Sequence, residues 1–336
     1  MLNKAVIDLQ TLRENASSVK LRLDKKTLFN AVVKADAYGH GAPVVANALY
    51  NIVDNFSVAT VEEGVALRLS GIRKDIFVLT PLLPCDLPLS VRYGLIPTVC
   101  SVDDVAKIQM ESTSQNRDTF VQIKFNAGMN RLGVDSLGQL ESIIRAISDS
   151  KRVKLWGMFS HFSAPQNKKS RISAENKFLL ANNLVKGYNN KAVCHISSSG
   201  GFLVGAHYDM VRIGILLYGY TPFKVNFPVQ PVMKVYAPVI ARRTLKENET
   251  ALYGDKRSGG GALTLIRYGY ADGLERKERI GQFNNRCMDV TAMVGDYSGE
   301  LYPVMENAQA LACKYDTISY EILTKCALRA QKIYLN

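Results

Sequence analysis

From residue 28 to about 217 the chain alternates short continuous apolar runs with longer stretches whose apolar positions recur at helical spacing. The runs "LFNAVVK", "NFSVATV", "DIFVLTP", "LIPTVCS", "TFVQIKF", "LWGMFSHF", "AVCHISSS" and "MVRIGILL" read as eight strands. They are apolar along both faces, as strands covered on both sides are, and amphipathic segments separate them. Ser101 followed three residues later by Asp104 marks one helix start, and Gly71 marks a helix end suited to a left-handed cap. Eight β/α alternations predict a closed parallel barrel, a (β/α)8 TIM-like fold. After residue 225 the pattern changes. "VMKVYAPVIARRTL", "ETALYG", "GGALTLIRYGY" and "CMDVTAMVG" are short alternating strands broken by glycine, which predicts a smaller, mostly-β antiparallel domain. The expected division is 1–225 and 226–336, with residues 1–10 ("KAVIDLQ" alternates in the same way) pairing with the second domain. Gly259-Gly260-Gly261 lacks the spacing of a phosphate-cradling motif and is expected to be a flexible loop.

Composition changes this picture little. With 336 residues, 47% of them hydrophobic, the chain can bury a large core. It has no apolar run of membrane-spanning length, and "MLNKAVIDLQ" lacks a secretion signal, so a cytoplasmic protein is expected. Six scattered cysteines form no C-x-x-C pair and no cluster with the four histidines, which argues for reduced thiols and against a zinc site. The net charge of +12 is spread through "LRLDKK", "NKKSR", "ARRTLKE" and "ERKER" with acids nearby. Without a nucleic-acid motif, that describes a solvated surface, or a mild attraction for anionic ligands.

The chemistry concentrates at the ends of the barrel strands, where such barrels carry their active sites. Lys34 leaves a β-branched run for a glycine-flanked turn in "AVVKADAYGHG"; Lys124, Arg131, His161, Ser197 to Ser199 and Arg212 end or follow other strands. Singly, each has an ordinary structural explanation. A strand-end lysine snorkels its amine to water. His161 in "FSHFS" reads as a satisfied core histidine, and the serines read as a turn. Converging on one rim they form a candidate site, in which a desolvated Lys34 amine acts as a Schiff-base nucleophile or a base.

"AVVKADAYGHG" resembles the cofactor-lysine motif of alanine racemases. "IKFNAGMNRLGV" (123–134), "MVRIGILLYG" (210–219), "ALYG" (251–254) with "GYADG" (269–273), and "CMD" (287–289) with "TISYEIL" (317–323) follow in that family's order. The resemblance implies a pyridoxal phosphate (PLP) enzyme, a barrel plus a β domain, active as a homodimer with shared active sites. It implies reversible interconversion of L- and D-alanine, supplying D-alanine for peptidoglycan. Lys34 would hold PLP through its amine and move a proton on one face of Cα. Tyr253, given by the partner subunit, would act on the other. A phenol is a poor base at neutral pH unless nearby positive charge favours its anion. His161, His195 and Arg212 match the network that links this tyrosine to the cofactor. Arg212 would also face the pyridine nitrogen, whose proton a guanidinium cannot accept. Tyr38, Ser199, the amides of Gly214 and Ile215, and Tyr320 match the phosphate contacts. Arg131 would bind the phenolic oxygen and the substrate carboxylate, and Tyr270, Met288 and Asp289 would shape the small substrate pocket. Lys124 matches a lysine carbamylated in many relatives.

Three stretches depart from the family pattern. Asn126-Ala127 stands for Asp-Thr, Ser198 stands for Asn, and "LERKERIGQFNNR" (274–286) is shorter than the usual hairpin. The alternatives are a serine or broad-specificity racemase, since one hydroxyl is a small difference for a pocket to reject, and a noncatalytic PLP-carrying barrel protein. The last leaves Tyr253 and the β domain without a role.

Overall fold

The structure is a computed structural model that describes residues 2–253, 257–275 and 286–336, the side chains of residues 257 and 258 excepted. Most of the shortened 274–286 segment, and Gly254 of "ALYG", lie outside the described residues.

Among the described residues, fourteen strands divide between two sheets. The barrel strands are β2 (Leu28–Val32), β3 (Asn55–Val58), β4 (Ile76–Pro81), β5 (Ile96–Val99), β6 (Thr119–Lys124), β7 (Val153–Phe159), β8 (Val193–His195) and β9 (Met210–Ile213). All neighbours along β2–β8 are parallel, and β9 returns to pair with β2. A parallel bridge between Ser198 and Arg212, with Arg212 N–H donating to Ser197 O at 3.0 Å, closes the barrel. All eight apolar runs are thus strands, in the expected order.

The strands' outward side chains, such as Phe29, Phe56, Val211 and Ile213, are buried under helices. Among the described residues, six of the eleven α-helices start at a side-chain cap. Ser101 Oγ accepts from Asp104 N–H at 3.1 Å at the head of Val102–Ser114. The Asp104 carboxylate reaches one residue past the cap, to Cys100 N–H at 2.7 Å. Gly71 lies just beyond the helix Val61–Leu69 with φ 97°, in the left-handed region. No helix follows β9 directly. The N-terminal helix Leu9–Lys20 covers that side, and Asn15 ties it to the segment after β9 by donating to Leu217 O and Gln230 O.

The second sheet contains β1 (Lys4–Asp8), β10 (Met233–Thr250), β11 (Arg257–Ile266), β12 (Thr291–Val294), β13 (Leu301–Met305) and β14 (Gln331–Leu335). β1 lies between β10, antiparallel, and β14, parallel, so the sheet is mixed rather than purely antiparallel. Two expectations fail here. Gly259-Gly260-Gly261 lies inside β11, paired with the Leu245–Glu247 stretch of β10. The cross-strand ladder holds these glycines in a long hairpin, with φ of 81° and 117° at Gly260 and Gly261. "ETALYG" is not a strand of its own. Its first residues end β10, and Leu252 and Tyr253 form a bend, Leu252 at φ 58°. Helices Ala308–Tyr315 and Ser319–Cys326 complete this domain, and the second lies against the turn after β2.

Candidate active site

Lys34 opens a single turn, Lys34–Tyr38, whose next four residues are left-handed: φ is 51°, 52°, 54° and 53° at Ala35, Asp36, Ala37 and Tyr38. L-residues pay about 1–2 kcal/mol each for this conformation, so the surroundings must impose it. Ala35 N–H donates to Glu63 Oε1 at 2.6 Å, and Ala42 N–H donates to Asp36 Oδ1 at 2.7 Å. Lys332 of β14 pairs with Asp36 Oδ2 at 2.7 Å. Gly39 ends the turn at φ 82°, where a Cβ would lie 2.5 Å from Leu323 O. The reversed turn brings Lys34 and Tyr38 to the wall of one cavity of about 680 Å³ at the C-terminal mouth of the barrel.

The cavity has two chemically different ends. At one, Tyr38, Ser199 and Tyr320 bring three hydroxyls beside Gly214 and Ile215. Gly214 N–H donates to Ser199 Oγ at 3.2 Å, and a Cβ on Gly214 would sit 2.6 Å from the Tyr38 hydroxyl, so bare backbone is required there. Burial pushes the Tyr38 phenol up and that of Tyr320 to about 12. Both remain hydrogen-bond donors at any physiological pH.

At the other end the groups are cationic or basic. Arg212 of β9 is buried and donates to His195 Nδ1, to His161 Nδ1 at 3.1 Å, to Ser160 O at 2.7 Å and to Ile196 O at 3.2 Å. Burial, then Arg131, lowers its pKa to about 9, which leaves it cationic at neutral pH. Since a guanidinium only donates, both histidines accept at Nδ1 and carry their proton on Nε2. Burial and Arg212 hold both well below the usual histidine range, so they are neutral. Lys124 is buried with its Nζ 4.0 Å from the centroid of the Phe159 ring; burial, Arg212 and Arg131 hold it well below the lysine range. The Lys34 amine is lowered too, by burial first and then by Arg131.

Lys34, Tyr38, Lys124, Arg131, His161, Ser199, Arg212, Gly214, Ile215 and Tyr320 therefore line one cavity, and His195 stands behind Arg212. Tyr253, Tyr270, Met288 and Asp289 do not reach it. Tyr253 is 72% exposed at the β10 hairpin bend, and Tyr270 and Met288 are exposed on adjoining loops joined by Ala271 N–H to Met288 O. Asp289 pairs with Arg329 at 2.8 Å. Ser197 turns away, donating to Ala206 O. Asn126 organises its loop: its amide donates to Asp135 Oδ1 at 2.6 Å and its oxygen accepts from Gly128 and Asn130 N–H. A carboxylate there would face Asp135.

Two residues of this site were not singled out from sequence. Phe159 stacks on His195 (centroids 5.5 Å apart, 13° between planes) and lies under both Lys124 and Arg212, but an aromatic in an apolar strand carries no signal. Glu63 was findable, because Thr60-x-x-Glu63 is a capping-box pattern.

The family model for the N-terminal domain of alanine racemase matches residues 7–222. The alanine racemase of Aquifex aeolicus is 31% identical, over 97% of each chain. That of Prochlorococcus marinus is 34% identical, over 79% of this chain and 72% of its own. Among solved structures, the Clostridium difficile alanine racemase superposes with a TM-score of 0.92 at 26% identity, over 100% of this chain and 96% of that one. The alanine racemase of Bartonella henselae with covalently bound pyridoxal phosphate gives 0.86 at 26% identity, over 100% of both.

Proposed function

The chain belongs to the alanine racemase family, and we propose that it interconverts L- and D-alanine on PLP held by Lys34, with Lys34 and a partner subunit's copy of Tyr253 as opposed bases. One observation carries the reading. A partly desolvated lysine amine, an end made of neutral donors and a buried guanidinium surround a single cavity of suitable size.

These residues fit PLP. Tyr38, Ser199, Tyr320 and the Gly214 and Ile215 amides would hold the phosphate, since aimed dipoles suffice for an anion. Arg212 would face the ring nitrogen and Arg131 the phenolic oxygen and the substrate carboxylate. When bound, the cofactor draws electrons from the substrate's Cα and so acidifies its hydrogen.

The lowered pKa of Lys34 makes its free amine available nearer neutrality, to take or return the Cα proton on one face. Tyr253 would serve the other face. Its exposure on the β domain, away from its own cavity, suits delivery to a second copy in a homodimer, with Tyr270, Met288 and Asp289 closing the pocket from that side. Neutral His161 would pass the influence of Arg212 toward that tyrosine. The lowered pKa of Lys124 favours its uncharged amine, the form that adds carbon dioxide to give a carbamate and a proton; the anion would orient Arg131. Arg212 as the partner of the ring nitrogen favours plain proton return over chemistry needing a stronger electron sink.

The test is a chiral assay of purified, PLP-loaded protein on alanine and serine enantiomers. Alanine should racemise from both sides, and Lys34→Ala should abolish both the turnover and the cofactor attachment that borohydride makes permanent. Racemisation surviving in Lys34→Ala, or none by the unaltered enzyme, would overturn the proposal.

A further inference from the structure

The inside of this barrel departs from the Val, Ile and Leu filling of such folds. Its lowest layer is apolar: Phe77, Ile96 and Met210 pack with Leu28, Trp156 and Val193. The layer above, just beneath the active-site cavity, is polar. Asn30, Ser57, Thr98, Gln122, His195 and Arg212 are all buried there. The strand register aligns Asn30 with Arg212 and Thr98 with Gln122.

Hydrogen bonds fix which atoms of this layer stay free. Thr98 Oγ1–H donates to Val78 O at 2.6 Å, so it accepts from Gln122 Nε2 at 3.2 Å. Gln122 Oε1 is then the loose end. Asn30 Nδ2 donates to Asn55 Oδ1, which leaves Asn30 Oδ1. His195 Nδ1 accepts from Arg212, which leaves an Nε2–H donor. Asn30 Oδ1, Gln122 Oε1, His195 Nε2 and Ser57 Oγ are all buried without a protein partner. Two acceptors, one ring donor and one hydroxyl match what a water molecule offers, and buried waters bridge such sets of otherwise unsatisfied groups.

We propose that a water bound inside the barrel accepts the Nε2 proton of His195 and donates to Asn30 Oδ1 and Gln122 Oε1, which makes Asn30 and Gln122 positioning residues for Arg212. With Nε2 held as a donor, Nδ1 stays an acceptor and keeps one arm of the guanidinium aimed. The amides thus act on the cavity through water, His195 and Arg212 without touching it. The proposal rests on the role given to Arg212 above.

Two measurements on the unaltered holoenzyme decide it. A high-resolution crystal structure should show a water within hydrogen-bonding distance of His195 Nε2 and of Gln122 Oε1 or Asn30 Oδ1. Nitrogen-15 NMR of histidine-labelled enzyme should find His195 neutral and protonated at Nε2. In Gln122→Met and Asn30→Leu, which remove the amide acceptor together with its donor bond to Thr98 or Asn55, the Nε2 proton should exchange with solvent about tenfold faster, and kcat should fall about tenfold with KM unchanged. A dry polar layer, a direct contact of His195 Nε2 with either amide, or unaltered exchange in both variants overturns the proposal. A variant that fails to fold leaves the decision with the two holoenzyme measurements. An enzyme that holds the water and the tautomer but does not racemise alanine would refute the proposed function and leave this inference standing.

Discussion

His40, in the motif that carries Lys34, illustrates how one buried side chain couples stability to pH. Its Nδ1–H donates to the carbonyls of Ala37 and Tyr38 at 3.0 Å each, its ring lies 4.6 Å from that of Tyr218, and its Nε2 is buried without a partner. Burial lowers its pKa to about 4 against backbone bonds and Asp36, which act to raise it. A depressed folded pKa means that the unfolded chain binds the proton first. Stability is therefore complete above about pH 6.5 and falls as the pH drops toward 4. This histidine alone should cost up to about 3 kcal/mol across that window, and His161 and His195, also held below the usual range, add to it in the same direction. Denaturant melts of the unaltered protein and of His40→Gln at pH 7, 5.5 and 4.5 check this. The variant should lose part of the acid sensitivity, and parallel curves for the two proteins would refute the assignment. The position of His40 was plain in the sequence, but its work was not. A histidine between two glycines gives no sign of the carbonyls it binds, because those belong to a turn of reversed hand.

That reversed turn is the element on which the site depends, and its sequence gives little warning of it. Ala35, Asp36, Ala37 and Tyr38 are not glycines, and three of them would join an ordinary helix readily. The left-handed conformation comes from tertiary contacts: Glu63 from the following βα unit, and Lys332 with Leu323 from the β domain. Glu63 also accepts from Ala59 and Thr60 N–H, so one carboxylate both caps the helix Val61–Leu69 and braces the lysine turn. Glu63→Ala should lower stability by about 1–3 kcal/mol, by the lost cap and the amides left unpaired. It should also weaken PLP binding, since Lys34 and Tyr38 stand on the turn that it braces. Glu63→Gln, which keeps an acceptor, should lose less of both. Thermal melts and a titration with PLP would measure the two effects, and a variant that melts lower but binds PLP normally would detach the turn from the brace. The barrel strands, by contrast, were legible throughout, because a strand covered on both faces must be apolar at nearly every position. The β10–β11 hairpin was legible only in part. Glycines inside a ladder read as a loop when the pairing partner is ten or more residues away.

At the scale of the molecule, the two domains share one chain's cavity in an uneven way. The β domain sends Tyr320 into the cavity and Lys332 to Asp36 of the lysine turn, yet it leaves Tyr253, Tyr270 and Met288 exposed elsewhere. The two groups follow one another along the chain, Tyr253, Tyr270 and Met288 before Tyr320 and Lys332, but nothing in their residue types tells them apart; only folding separates side chains that serve their own site from those that do not. Exposed aromatic side chains such as Tyr253 and Tyr270 suit a surface that a second copy covers. If a second copy covers it, each active site takes Lys34 from one subunit and Tyr253 from the other, and a two-fold dimer carries two such sites. Lys34→Ala and Tyr253→Phe homodimers should then both be inactive, each with a defect in every site. Unfolding the two together and refolding them as a mixture gives dimers of which half are mixed. In a mixed dimer one site receives both defects and the other receives neither. Activity should return to about one quarter of that of the unaltered enzyme, measured as alanine racemisation per active site. A mixture that stays inactive while native gels show mixed dimers would mean that Lys34 and Tyr253 act within one chain, and that the exposed tyrosine reaches its own cavity by a movement of the hairpin instead.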